Sequence, residues 1–267
     1  MAKIVIDPGH GGTDPGATSG KNQEKNFNLA IALKVRDYLN THYQAQLLMT
    51  RTTDKTVSLR QRTNFANNNN ADYFCSIHIN AGGGTGWESF IYNGAVSEQT
   101  KRAQNTIHNK VVNVLSSKYN VRDRGKKRAN FHVLRETRMP AILMENLFID
   151  TTKDLNLLRN NAFISDLGQA IGEGVAEALS LKAKQPTDPG QPTLYKVIAG
   201  SFQNRANAAN RVQFLKQNDI DAFAKKITID GNDWFRVQAG AFRERAHAQR
   251  HLDRIKKLNI DAYILQD

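Results

Sequence analysis

Apolar positions along this chain recur with two periods. Short runs of strand character, Lys3–Asp7, Gln46–Thr50, Tyr73–Ile79, Trp87–Tyr92, Phe131–Arg135 and Ala141–Ile149, alternate with segments whose apolar residues fall three and four apart. In Glu24–Leu39 the stripe is Phe27, Ile31, Val35 and Tyr38. Ser58 is placed to cap a helix ending near Asn68, and Glu98–Tyr119 and Phe163–Leu181 are longer helical patterns. Tyr73–Ile79 is apolar on both faces, which predicts a central strand covered from both sides. The alternation predicts an α/β fold, a mostly parallel twisted sheet flanked by helices, over residues 1–181.

The rhythm breaks at Lys182–Pro192, where three of the six prolines fall in an almost wholly polar segment that reads as a semi-extended linker. Beyond it lies an internal repeat with a constant offset of 40 residues. Tyr195–Phe202 matches Phe235–Phe242, Arg205-Ala206 matches Arg245-Ala246, and Ile220–Phe223 matches Ile260–Tyr263. Each unit reads strand, helix, strand. Two units predict a small α+β domain of βαββαβ order over residues 193–267, one sheet with two helices on one face.

Composition narrows the options. The 267 residues are 40% hydrophobic, enough for sizeable cores, yet no apolar run approaches the ~18 residues of a membrane span. Met1–Asp7 runs straight into a strand pattern and shows no signal-peptide h-region, so export by another route or release of a cytoplasmic product is expected. Cys75, the single cysteine, lies in an apolar run and reads as a small buried hydrophobe. The net charge of +12 is spread along the chain, with 22 basic and 16 acidic residues before the linker and 13 and 8 after it. A basic surface suits several anionic partners, but no helix-turn-helix, zinc-finger or RNP-type pattern is present, and no nucleic-acid partner is expected.

The candidate chemistry sits at element ends. His10 follows the first strand in Asp7-Pro8-Gly9-His10-Gly11-Gly12, where glycines allow a sharp turn and leave the imidazole open to a cleft. Glu24 opens the next helix two and three turns before Ile31 and Val35 on the inward stripe, although a carboxylate favoured by the helix dipole is also compatible. His78 ends the apolar central strand just before Gly82-Gly83-Gly84; a satisfied core histidine is its alternative. Two histidines and one carboxylate, without sulfur, suit a single catalytic zinc with an open fourth position. Glu145 stands inside the apolar run Ala141–Ile149, where burial raises a carboxyl pKa and suits a general base or acid. Glu88 is a candidate for the cleft wall or for a structural role, and His132 for a place beside the ligands. His42, His108, His247 and His251 lie among polar helical residues and are expected in solvent.

These pieces carry a resemblance. Asp7–Gly12, Glu24, Ser76-Ile77-His78-Ile79-Asn80 and Met144–Ile149 resemble the zinc-dependent N-acetylmuramoyl-L-alanine amidases of the amidase_3 type, as in bacillus sporulation and phage cell-wall hydrolases. The repeat resembles the sporulation-related (SPOR) peptidoglycan-binding domain. The resemblance implies His10, Glu24 and His78 as zinc ligands, Glu145 as the catalytic glutamate, and peptidoglycan as substrate and partner, with the C-terminal domain gripping glycan strands. A zinc peptidase acting within the stem peptide, or a binding protein without catalysis, remains open on the residues alone. Oligomeric state is not readable.

Overall fold

The computed structural model describes residues 1–184, 194–229 and 232–266, so that residues 185–192 of the linker lie outside the described residues. The chain forms two compact units, Met1–Lys184 and Gln185–Asp267.

The first unit contains β1 (Ala2–Pro8), the small hairpin β2 (Thr18–Ser19) and β3 (Asn22–Gln23), α1 (Glu24–His42), β4 (Ala45–Met49), α2 (Leu59–Asn68), β5 (Tyr73–Asn80), β6 (Trp87–Tyr92), α3 (Glu98–Tyr119), β7 (Asp123–Ala129), α4 (His132–Arg135), β8 (Ala141–Phe148), α5 (Thr152–Leu158) and α6 (Asn161–Ala178). Six strands form one sheet in the order β4-β1-β5-β8-β6-β7. All neighbours are parallel except β6 and β8, so β6 and β7 run against the other four.

Alternation along the strands builds two cores. Ile4 and Ile6, Tyr73, Cys75, Ile77 and Ile79, and Ile142 and Met144 face a core completed by α1, α3 and α6. Val5, Phe74, Ala141 and Leu143 face the opposite side, where Ala66 of α2 and Val133 and Leu134 of α4 cover them. Each fully buried Ile, Leu or Phe contributes roughly 1.5–3 kcal/mol by leaving water. α2 begins with a reciprocal capping box in which Ser58 accepts from the Gln61 amide and Gln61 accepts from the Ser58 amide.

Two elements differ from the sequence expectation. Phe131–Arg135 is not a strand: Phe131 precedes the short helix α4. The adjacent residues Val133 and Leu134 both pack into the same core, which a period-two strand does not permit. The strand in that region is Asp123–Ala129, whose sequence Asp-Arg-Gly-Lys-Lys-Arg-Ala has no apolar alternation because β7 is a sheet edge, where cations guard unpaired backbone.

The second unit runs β9 (Tyr195–Phe202), α7 (Arg205–Gln217), β10 (Phe223–Ile229), β11 (Asn232–Phe242), α8 (Arg245–Lys256) and β12 (Tyr263–Gln266). Its antiparallel sheet has the order β10-β11-β9-β12. Val197, Ala199, Val237 and Ala239 pack with Ala208, Leu215, Ala248, Leu252 and Ile255 from the two helices. Cross-strand pairing sets Phe223, Gln238, Ile198 and Tyr263 in one row, with exposed aromatics at both ends. The offset of 40 relates Phe223 to Tyr263 and Ile198 to Gln238, so the row has approximate two-fold symmetry. Among the described residues no helix of either unit is long and apolar enough to cross a membrane.

Candidate active site

The residues singled out in the sequence meet at the carboxyl ends of β1 and β5, where open α/β sheets form their clefts. His10 lies just past β1, Glu24 is the first residue of α1, and His78 is near the end of β5. One nitrogen of each histidine and one carboxylate oxygen of Glu24 all lie within 4.8 Å of one another. Glu24 Oε1 is 3.3 Å from His10 Nε2 and 3.0 Å from His78 Nδ1. The two imidazole rings stand edge to face, 5.1 Å apart at 81°.

Two of the three are held from behind. Glu24 Oε2 accepts from the Ala17 amide at 2.9 Å, and Oε1 accepts from Asn28 Nδ2 and the Ile79 amide at 3.1 Å each. His10 Nδ1 pairs with Asp14 Oδ2 at 2.8 Å, which leaves Nε2 to face Glu24. Burial alone pushes the Glu24 carboxyl up, but hydrogen bonds and charge from His10 and His78 overcome it and hold the group well below the usual carboxylate range. For His10, burial acts to lower the pKa and the pairing with Glu24 and Asp14 raises it above the ordinary value.

His10 has a left-handed backbone, φ 58°, a strained conformation for a residue with a side chain. Two buried arginines stabilise it. Arg62 donates from Nη2 to the His10 carbonyl at 2.7 Å, and from Nη1 to the Pro8 carbonyl at 2.6 Å and to Asp7 Oδ1 at 2.7 Å. Arg51 donates to the carbonyls of Pro8, Gly9 and Lys25. Asp7 is fully buried and also accepts from Thr50 and Ser76 hydroxyls. Gly9 is required here by close approach: a Cβ there would lie 2.2 Å from the His78 ring. Sequence reasoning missed these clamps. The readable signal was Arg62 four residues before Ala66, on the inward stripe of α2.

Glu145 is paired in register with His78 on one side and with Glu88 on the other. Its Oε2 is buried and has no hydrogen-bond partner among the described residues. Burial, the Glu24 charge and the Glu88 charge together raise its pKa well above the usual range. Just beyond it, β8 bulges: Leu147 has φ 74°, and Asn146 turns to donate to the His78 carbonyl at 2.9 Å and to accept from Trp87 Nε1 at 2.8 Å. Glu88 is nearly fully buried and paired with Arg124 and Lys127.

His10, His78 and Glu145 open into a cavity of about 400 Å³ walled by Val57, Leu59, Phe131, Val133 and Leu143. His132 lines the same cavity, and its buried Nε2 also has no partner among the described residues. A larger hollow of about 910 Å³ beside α7 and β10 has no histidine or carboxylate in its lining. Of the other histidines, His42 and His247 are exposed as expected, but His108 and His251 are not. His108 is buried between Ser89 and Asp123, and the partly buried His251 bonds the Ala239 carbonyl through Nε2. Both lie on the inward faces of helices whose polar neighbours hide them in sequence.

Residues 4–177 match the family model described as N-acetylmuramoyl-L-alanine amidase, Amidase_3, and residues 191–266 match that of the SPOR domain. The chain is 50% identical over 209 residues to the sporulation-specific N-acetylmuramoyl-L-alanine amidase of Bacillus subtilis (strain 168), covering 78% of each. It is 35% identical to the endolysin of Bacillus phage SPP1, covering 89% of this chain and 93% of that one. Among solved structures, the catalytic domain of CwlV, an N-acetylmuramoyl-L-alanine amidase from Bacillus (Paenibacillus) polymyxa var. colistinus, aligns at a TM-score of 0.63 and 36% identity, covering 68% of this chain and all of that one. With its fold and its repeat so matched, the chain belongs to the Amidase_3 family of N-acetylmuramoyl-L-alanine amidases and carries a C-terminal SPOR domain.

Proposed function

We propose that this amidase hydrolyses the bond between the lactyl group of N-acetylmuramic acid and the L-alanine of the stem peptide with one zinc ion held by His10, Glu24 and His78, and with Glu145 carrying the proton. The observation that supports this most is the convergence of two imidazoles and a carboxylate beside a carboxyl oxygen that is buried and unpaired. The donor set fits a zinc ion. Ligand bonds near 2.0–2.1 Å in a tetrahedron place donor atoms about 3.3 Å apart. The separations from Glu24 Oε1, 3.0 and 3.3 Å, are of that size. The same donors accept manganese or cobalt in vitro.

When bound, the ion supplies Lewis acidity, which polarises a carbonyl and makes a water acidic near neutral pH. The residues do the rest. Asp14, Ala17 and Asn28 fix the ligand orientations, and the apolar wall of Val57, Leu59, Val133 and Leu143 limits water in the cleft. Glu145, one strand from His78, takes a proton from the attacking water and passes it to the leaving amine of L-alanine. A raised pKa lets the carboxyl hold that proton between the two transfers. We assign cutting to residues 1–181 and retention on glycan strands to residues 193–267, so that tethering raises the local enzyme concentration at the wall.

Mass spectrometry of digested peptidoglycan tests the reaction. Intact stem peptides with free L-alanine amines are expected; shortened peptides would identify a stem-peptide protease, and no release a binding protein. In parallel, a chain ending near Leu181 is expected to keep its zinc and to cut soluble fragments at a similar rate, but to act more weakly on insoluble walls. Unchanged lysis of walls would refute the division of labour.

A further inference from the structure

Glu88 is charged, buried and oversupplied with partners. Its side chain is 4% exposed, and Oε2 accepts from Arg124 Nε at 2.6 Å and Lys127 Nζ at 2.5 Å, while Oε1 accepts from Asn80 Nδ2 at 2.9 Å. One cation would neutralise it. The second leaves the cluster with a net positive charge, at side chains that are 26% and 37% exposed. The arms are held still by aromatic rings, the Arg124 guanidinium 4.8 Å from the centre of Phe148 and the Lys127 ammonium 5.7 Å from that of Phe90. Arg124 uses only Nε for Glu88, and its two terminal nitrogens donate to no partner among the described residues. A guanidinium held through Nε with both terminal nitrogens unpaired among the described residues is a fork for a carboxylate.

The fork lies beside the cleft, joined to it through Glu88 and Glu145. Glu88 is the cross-strand neighbour of Glu145 on the same face of the sheet, and Asn80 follows His78 by two residues. Phe131, a cavity wall residue, packs edge to face on Phe90 at 5.3 Å, beneath Lys127. β6 and β7 are one and two strands from β8, about 5 and 10 Å at the ordinary strand spacing. A carboxylate on the second residue of the stem peptide lies on the order of 6–7 Å from the scissile amide at the extended rise per residue. Where that second residue is a glutamate joined through its side chain, its α-carboxylate is left free.

We propose that Arg124 and Lys127, positioned by Glu88, bind this free α-carboxylate and make the enzyme selective for stem peptides in which it is not amidated. The proposal rests on the amidase reading above. The step is binding only; no bond is made or broken.

Two soluble muramyl tripeptides, identical except that the second residue carries an α-carboxylate or an α-carboxamide, test it. Neither contains phosphate-bearing wall polymer, so a difference between them reports the carboxylate of the peptide itself. The wild-type chain is expected to favour the acid in kcat/KM by about tenfold, the effect of one charge-assisted hydrogen bond at a partly exposed site, mainly through KM. Arg124→Gln and Lys127→Gln are expected to bring the acid-to-amide ratio toward one, and Arg124→Lys to restore part of it. The ratio is internal to each protein, so a loss of folded enzyme does not change it. Equal rates on both substrates in the wild type, or a ratio unaffected in both glutamine variants, would overturn the subsite while leaving the amidase intact. No cut at the lactyl amide of either substrate would overturn the amidase reading and the subsite with it.

Discussion

Glu145 and Glu88 face each other directly across the antiparallel pair of β8 and β6, yet only Glu88 is neutralised. The asymmetry assigns them different work. Glu88 lies between Arg124 and Lys127, whereas burial and the nearby charges of Glu24 and Glu88 raise the pKa of Glu145. Two carboxyl groups one strand apart thus have opposite surroundings, one paired with two cations and the other buried with no hydrogen-bond partner at Oε2 among the described residues.

Replacing Glu145 by Gln tests the proton-carrying role. The amide fills nearly the same space and removes an unpaired carboxylate, so the fold and the bound metal should survive. Turnover is expected to fall on the order of 10²–10⁴-fold, the usual contribution of a general acid–base group. Steady-state kinetics on a soluble muropeptide, with metal content and melting temperature measured on the same sample, give the answer; near-normal turnover refutes the role.

Arg62 is expected to control metal binding without touching the metal. It joins Asp7, Pro8 and His10 through one guanidinium, and a lysine cannot reach all three. Arg62→Lys should weaken zinc binding by about 10–100-fold, the range for groups that orient metal ligands. Competition with a chromophoric chelator measures this directly. Unaltered affinity would show that the Gly9–Gly12 turn holds its strained shape by itself.

The His108 network makes a statement about acid stability. Burial lowers the pKa of His108 from its ordinary 6.5, against the opposing pull of Asp123. The unfolded chain therefore binds more protons than the folded one in the window between the lowered pKa and about 6.5. Stability from this group is complete above that window and is lost as pH falls through it. In the presence of chelator, the melting temperature of the wild type should drop more between pH 7 and pH 5 than that of His108→Gln. Parallel curves for the two proteins would show that the ring protonates without cost.

Much of this molecule was legible in the sequence because the relevant information is local. Side-chain periods of two and of three to four specify strands and helices through nearest neighbours, and the offset of 40 residues announced a duplicated βαββαβ unit. The carboxyl ends of β1 and β5 and the start of α1 were visible as pattern boundaries, and His10, Glu24 and His78 stand there. Glu145 was visible as a charge inside an apolar run. Where local pattern conflicted with long-range context, context won: Val133 and Leu134 form a helical turn against the core beneath α4, and the charged segment Asp123–Ala129 is a strand because β6 offers it an open edge.

Only the tertiary structure decided which charges find each other. Arg51 and Arg62 find partners for their burial only because Pro8, Gly9 and His10 turn their carbonyls toward them; His108 reads as solvated until Ser89 and Asp123 close on it. Asn80, Glu88, Arg124 and Lys127 are spread over 48 residues and meet only because β6 reverses direction beside β8 and carries β7 with it. The physical reason is the range of the interactions. Propensity and periodicity act between residues a few positions apart, whereas burying a charge requires a partner within about 3 Å that a different part of the chain must deliver.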